Sequence, residues 1–186
     1  MIQSVWRELS GEEFFAALHG AAASAFRLEL QPVYIEPYEQ ELVDQWLAGE
    51  LPSPTAVPEL ADWFMRVGAQ TRRGVHIGRV RVQEDPPTDY QELERWCDPW
   101  NVRAGESIRY ITRQHALEVG LLPAAGETGD WWLVDDRHLI LIKHDSTGRR
   151  MQYVSTTDAA AVVQAATWRD LAIRHSEPSA ARPLAA

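Results

Sequence analysis

The stretch GDWWLVDDRHLILIKHDSTG, residues 129–148, gathers two tryptophans, the pair Asp135–Asp136 and the run Lys143–His144–Asp145. Such a run suits either an acid–base site or a β-hairpin with polar tips. The chain's six histidines widen the first reading to metal binding. None sits at His-x-His or His-x-x-x-His spacing. His138 and His144 lie six apart on one expected strand, an even separation that puts both on one face. The spacing favours solvated hairpin ends over a ligand pair, and no metal site is expected. Lys143 is the only lysine beside seventeen arginines, a coding bias that makes a solvated strand end its simplest role. No phosphate-binding glycine loop, dinucleotide fingerprint or nucleophile elbow occurs, and no cofactor is expected. The single cysteine, Cys97 in RWCDPW, excludes an internal disulfide and a thiolate cluster within one chain. Its neighbours favour a neutral, structural thiol.

Charge is distributed unevenly along the chain. Residues 28–65 carry eight acids and no Lys or Arg, whereas residues 66–82 carry five arginines and no acid. Arg79 and Arg81, with Arg73 at the strand's entry and Arg109 on a neighbouring strand, could line a pocket for an anionic ligand or an acidic partner segment. The alternative is that these arginines are counter-ions for the chain's own acidic helices.

The elements that must position them follow from periodicity and capping. Ser10 and Glu13 form a capping box opening a helix to about Ala23. AFRLELQ, residues 25–31, alternates as a half-buried strand, with Phe26, Leu28 and Leu30 opposite Arg27 and Glu29. A helix through Leu42, Val43, Trp46 and Leu47 ends at Gly49. After a Pro/Ser loop, Pro58 opens a helix carrying Leu60, Trp63, Phe64 and Val67. In GVHIGRVRVQ the apolar parity changes between Ile77 and Val80. A bulge near Gly78 would restore one apolar face and group His76, Arg79, Arg81 and Gln83 on the other. Thr88 and Gln91 open a helix that Pro99 should kink or shorten. Residues 106–112 read as a strand beside 75–82. Three β segments follow at 131–135, 138–144 and 149–155, with DDRH and DSTG as turns. A helix at 157–174 closes the fold. The result is one α/β domain, residues 1–175, with a mixed sheet flanked by helices, a C-terminal β-meander, a final helix and a flexible tail at 176–186.

At 186 residues the chain can bury a sizeable core. A net charge of -9 argues against direct nucleic-acid binding. No apolar run reaches membrane-spanning length and no signal-peptide core opens the chain, so a cytoplasmic protein without membrane contact is expected.

Two resemblances extend this reading. Through SAFRLEL, RRGVHIGRVRVQEDPPTDYQ, AGESIRYITR and DWWLVDD, the chain resembles a family of actinobacterial proteins without an established activity. Members of that family are often encoded beside helix-turn-helix regulators. More distantly, the order of RRGV, an Arg/Val strand, a helix, AGESIR and a strand reaching VDD resembles the phospholipase D-like fold. The active strand of that superfamily reads His-x-Lys-x-x-x-x-Asp. With Asp135 at the aspartate, Thr128 replaces the histidine and Asp130 the lysine, which removes the nucleophile and the phosphate-holding cation.

The resemblances imply a non-catalytic regulatory or ligand-sensing protein acting with a helix-turn-helix transcription regulator, with no catalytic residues and with a homodimer as one assembly. The alternatives are a phosphoester- or nucleotide-processing enzyme, using Arg79, Arg81 and Arg109 with His115 or His144, and one member of a toxin–antitoxin-like pair.

Overall fold

The computed structural model describes residues 6–123, 125 and 129–182. Along the chain run β1 (Arg7–Leu9), α1 (Gly11–His19), β2 (Ser24–Glu29), α2 (Gln40–Leu47), α3 (Pro58–Arg72), β3 (His76–Gln83), α4 (Asp89–Arg103), β4 (Ser107–Thr112) and α5 (Arg113–Glu118). They are followed by β5 (Asp130–Val134), β6 (His138–His144), β7 (Arg150–Thr156), α6 (Ala159–His175) and β8 (Glu177–Pro178). The eight strands form one mixed sheet in the order β1-β7-β6-β5-β2-β3-β4-β8. β2, β3 and β4 are parallel; the meander β5–β7 and both edge strands pair antiparallel. The α/β class and the mixed, helix-flanked sheet agree with the sequence reading.

Local chemistry sets the helix starts. Ser10 Oγ accepts the Glu13 N–H at 3.1 Å while the Ser10 N–H donates to Glu13 Oε2 at 2.8 Å. Thr88 and Gln91 exchange the same pair of bonds at the head of α4. That helix runs through Pro99 to Arg103, so the proline does not shorten it. Pro58 takes the first position of α3, where a missing N–H costs nothing.

Helices cover both faces of the sheet. On one, α5 and α6 bury Phe26, Leu28, Val80, Val82, Trp131 and Leu133. On the other, α1 and α3 bury Val75, Ile77, Trp132, Ile140 and Ile142, and α2 meets α4 through Leu42 and Leu93. Strands covered on both sides have no solvent face, so the charged residues of β2 and β3 must go inside. Trp131 and Trp132 are adjacent in β5 and therefore anchor opposite cores.

β3 has no bulge. Its register is unbroken with β2 from His76 to Arg81 and with β4 from Gly78 to Gln83. Val75 and Ile77 enter one core and Val80 and Val82 the other, because each face is covered by apolar helices over a different part of the strand. Gln83 therefore shares a face with Arg79 and Arg81, and His76 does not. Gly78 serves close packing: a Cβ there would lie 3.1 Å from the Ser107 carbonyl oxygen.

The β5–β6 turn has Asp135 and Asp136 both at φ 51°, the primed geometry that suits hairpin twist. The Asp135 carboxylate accepts the N–H groups of Ala22, Ala23 and Ser24 at 2.7–2.9 Å, fastening the hairpin to the start of β2. These bonds hold its carboxyl below the usual range against the opposing effect of burial. Glu177–Pro178, within the segment read as a flexible tail, pair with β4, and Ser179 Oγ donates to Asp98 at 2.5 Å.

Replacing Asp135 by Ala should cost about 1–2 kcal/mol in urea denaturation, the scale of losing a capping carboxylate, and Asn should recover part of it. An unchanged midpoint for Asp135→Ala would remove this clamp from the account of the hairpin.

Candidate functional site

β2 and β3 end side by side, and their cavity-facing residues alternate as Arg27, Glu29 and Arg79, Arg81. Glu29 is 4% exposed and meets three guanidiniums: Arg27 at 2.9 Å, Arg79 at 3.0 Å and Arg81 at 2.7 Å. Each arginine has a further carboxylate. Arg27 reaches Asp130 at 3.1 Å, Arg79 reaches Glu106 at 2.6 Å, and Arg81 reaches Asp98 at 2.8 Å and Glu94 at 3.3 Å. Tyr34 Oη donates to Asp130 at 2.5 Å, and Tyr110 Oη donates to Asp98 at 2.7 Å.

Burial would raise the Glu29 carboxyl, but its three arginines together hold it well below the usual range. At Glu94 burial prevails, aided by Glu29, and pushes the carboxyl up to about 8, because Arg81 is already shared with Glu29 and Asp98. Burial likewise raises Asp130 to about 6 against Arg27 and the Tyr34 hydroxyl.

Above this network lies a cavity of about 390 Å³. Its floor is the C-terminal end of the parallel strands with Trp132, Ile142 and His144; its walls include Phe14, Trp63, Phe64, Leu93 and Tyr90 from the helices. Tyr34 and Glu36 reach it from the β2–α2 connection, which the β6–β7 turn pins through the Ile35 N–H bond to Gly148 O at 3.1 Å. Gly148 is required there, since its φ is +89° and a Cβ would fall 2.1 Å from Val33 O. Three buried polar atoms of lining residues lack a hydrogen-bond partner: Arg27 Nε, Trp132 Nε1 and His144 Nδ1.

Of the four arginines singled out by sequence, only Arg79 and Arg81 come together. Arg109 has the parity of Val80, so it lies on the opposite face and donates to Ser176 Oγ at 2.9 Å. Arg73 caps the end of α3 and is exposed. The expected basic patch is thus divided by the sheet, and its two central members are counter-ions of buried carboxylates. His138 and His144 share a face but stand at opposite ends of β6, roughly 20 Å apart at strand rise, too far for a ligand pair. Burial, with Arg27 and Arg150 adding to it, lowers His144 to about 4, so its ring is neutral near pH 7. His115 is exposed on α5, 5.9 Å from His175 and away from the cavity. Lys143 is exposed, and burial pushes the Cys97 thiol up to about 12. Among the described residues no group of three or more His, Cys, Asp or Glu could hold a metal ion. No helix among them is long and apolar enough to cross a membrane.

Sequence reading missed Arg27, Glu29, Asp130, Glu94, Asp98 and Glu106. For Arg27 and Glu29 the available signal was charge at alternate positions of a strand bound for the middle of a two-sided sheet, where apolar runs are the rule; Glu94 and Asp98 on α4 and Glu106 before β4 carried no such signal.

The fold is that of phospholipase D-like proteins. The structure is similar to the phospholipase D family member Nuc from Salmonella typhimurium, with a TM-score of 0.52 and 10% identity over 95% of both chains. It is equally similar to NucT from Helicobacter pylori, with a TM-score of 0.52 and 10% identity over 95% of this chain and 98% of that one. Proteins of curated function show no sequence match. The chain belongs to the family described as a domain of unknown function, DUF6879, whose model matches residues 12–181. Of the positions aligned to the His-x-Lys-x-x-x-x-Asp strand, Thr128 lies outside the described residues, Asp130 is wholly buried in the ion network and Asp135 is the hairpin clamp.

Two measurements check the network. Arg81→Ala should lose about 3–5 kcal/mol in chemical denaturation, as for one partner removed from a buried ion pair. Arg73→Ala, at an exposed helix end, should stay within about 0.5 kcal/mol. Similar small losses for both would mean that the arginines are not buried counter-ions.

The second is pH dependence. A carboxyl raised on folding binds its proton more tightly in the native state. Its stabilisation is complete below the ordinary carboxylate pKa and is lost as pH rises towards about 8. Melting temperature followed from pH 5 to 8 should therefore fall less steeply for Glu94→Gln than for the unsubstituted protein. Parallel curves would contradict the raised carboxyl.

Proposed function

We propose that this chain is a non-catalytic ligand-sensing protein that acts with a helix-turn-helix transcription regulator. The observation that carries the sensing role is the cavity of about 390 Å³ over the Glu29 network, within the size range of small-molecule sites. Its lining combines nine Phe, Tyr and Trp side chains with charged ones, and Arg27 Nε, Trp132 Nε1 and His144 Nδ1 in it have no protein partner. Catalysis on a phosphoester calls for cations aimed at the substrate. Here Arg27, Arg79 and Arg81 each meet at least two carboxylates, which supports the non-catalytic assignment. The regulator as partner rests on the resemblance to proteins encoded beside such regulators, and a cytoplasmic location goes with that role.

Phosphoester hydrolysis is the competing function, favoured by one feature: neutral His144 stands in the same cavity as the arginines. The two separate in one assay. Pure protein incubated with bis-p-nitrophenyl phosphate or single-stranded DNA, with and without divalent metal, should show no turnover. Turnover abolished by His144→Ala would establish the enzyme instead. For the regulatory role, co-expression with the helix-turn-helix protein encoded next to it should give a complex that survives gel filtration. Separate elution of the two would refute the partnership.

A further inference from the structure

The cavity's charges decide which ligand it suits. Four arginines line it, and each is already ion-paired: Arg27, Arg79 and Arg81 through Glu29 and its outer carboxylates, and Arg150 to Glu36 at 3.1 Å. Acids remain after this pairing. Glu39 and Glu59 line the cavity without a salt bridge among the described residues, and Glu39 Oε2 has only the Tyr90 hydroxyl, at 2.7 Å. Glu94, 3.3 Å from Arg81, keeps its proton near pH 7 because burial raises its carboxyl, and it adds a polar contact without a charge. An anion brought here would meet engaged guanidiniums and surplus carboxylates. A cation would meet the reverse.

The apolar part of the wall points the same way. Tyr34, Tyr90, Trp63 and Trp132 line the cavity, and their ring faces attract cations as well as flat apolar groups. Arg27 and Arg79 already exploit this, with Arg27 5.4 Å from the Tyr34 ring centre and Arg79 5.5 Å from that of Trp63. The Trp132 Nε1–H, buried without a partner in a residue 2% exposed, can donate to a polar atom on the ligand's body.

The geometry points to an organic cation as the ligand: a protonated amine carried on an aromatic or compact apolar body, its charge beside Glu39 and Glu59 and its body against Trp63 and Tyr90. This rests on the ligand-sensing role and names the ligand class for the same cavity. It replaces the anionic ligand suggested by the arginine count, since those arginines are occupied.

The test compares matched probes on the whole chain: tryptamine and phenethylamine against indole-3-acetate and phenylacetate. Binding is followed by thermal shift and by titration calorimetry. The amines should raise the melting temperature and bind at least about tenfold more tightly than the carboxylates of the same skeleton. Glu39→Gln combined with Glu59→Gln should remove that preference. Should this variant not fold, Trp63→Leu, which takes away a ring face and no charge, should weaken both amines. Carboxylates that bind as well as or better than the amines would overturn the cationic assignment and leave the ligand-sensing cavity standing. No binding by either series at millimolar concentration would overturn both.

Discussion

Glu29 is the group on which the interior of this protein depends. It is a carboxylate with almost no access to water, and an isolated charge in that position would be strongly disfavoured. Three guanidiniums keep it ionised, and each of them needs a further carboxylate. That requirement ties distant parts of the chain to one point: Asp130 from β5, Glu106 from the turn before β4, and Asp98 and Glu94 from α4. Buried ion networks are costly to desolvate and contribute little net stability relative to a well-packed apolar core. What this one confers is mutual dependence, because losing one member leaves another charge unpaired.

The network commits the arginines at the end of the parallel strands to carboxylates of the same chain. Asp130 and Asp135, which the resemblance would set at the lysine and aspartate of the superfamily strand, are both committed to structure. Asp130 accepts from Arg27, Tyr34 and the Leu30 N–H, and Asp135 accepts from three successive backbone N–H groups. The wholly buried Asp130 draws Arg27 into the interior. The end of the parallel strands becomes the floor of an aromatic cavity with an acidic surplus.

The C-terminal segment contributes through the same cluster. Asp98 accepts from Arg81, Tyr110 and Ser179, so the last strand is fastened to the far edge of the sheet by the carboxylate that neutralises an arginine in its middle. Arg109 works on the opposite face, where it holds Ser176 at the end of α6. Both sides of β4 thus fasten the chain after α6.

The division between what sequence and tertiary structure determined follows the range of the interactions. Helix starts at Ser10 and Thr88 and the meander turns at Asp135 and Asp145 were legible, because a capping side chain or a turn residue acts within a few positions of itself. Alternation in AFRLEL likewise showed which residues of that strand share a face. It could not show what covers that face. The parity change in β3 therefore read as a bulge, when the strand is regular and the two faces meet apolar helices at different heights. For the same reason Arg109 was grouped with Arg79 and Arg81 until its register beside Val80 placed it across the sheet. Whether an arginine serves a ligand or a carboxylate depends on partners as far away as Glu29, 50 residues from Arg79 and 52 from Arg81. Only the folded chain brings those partners within reach.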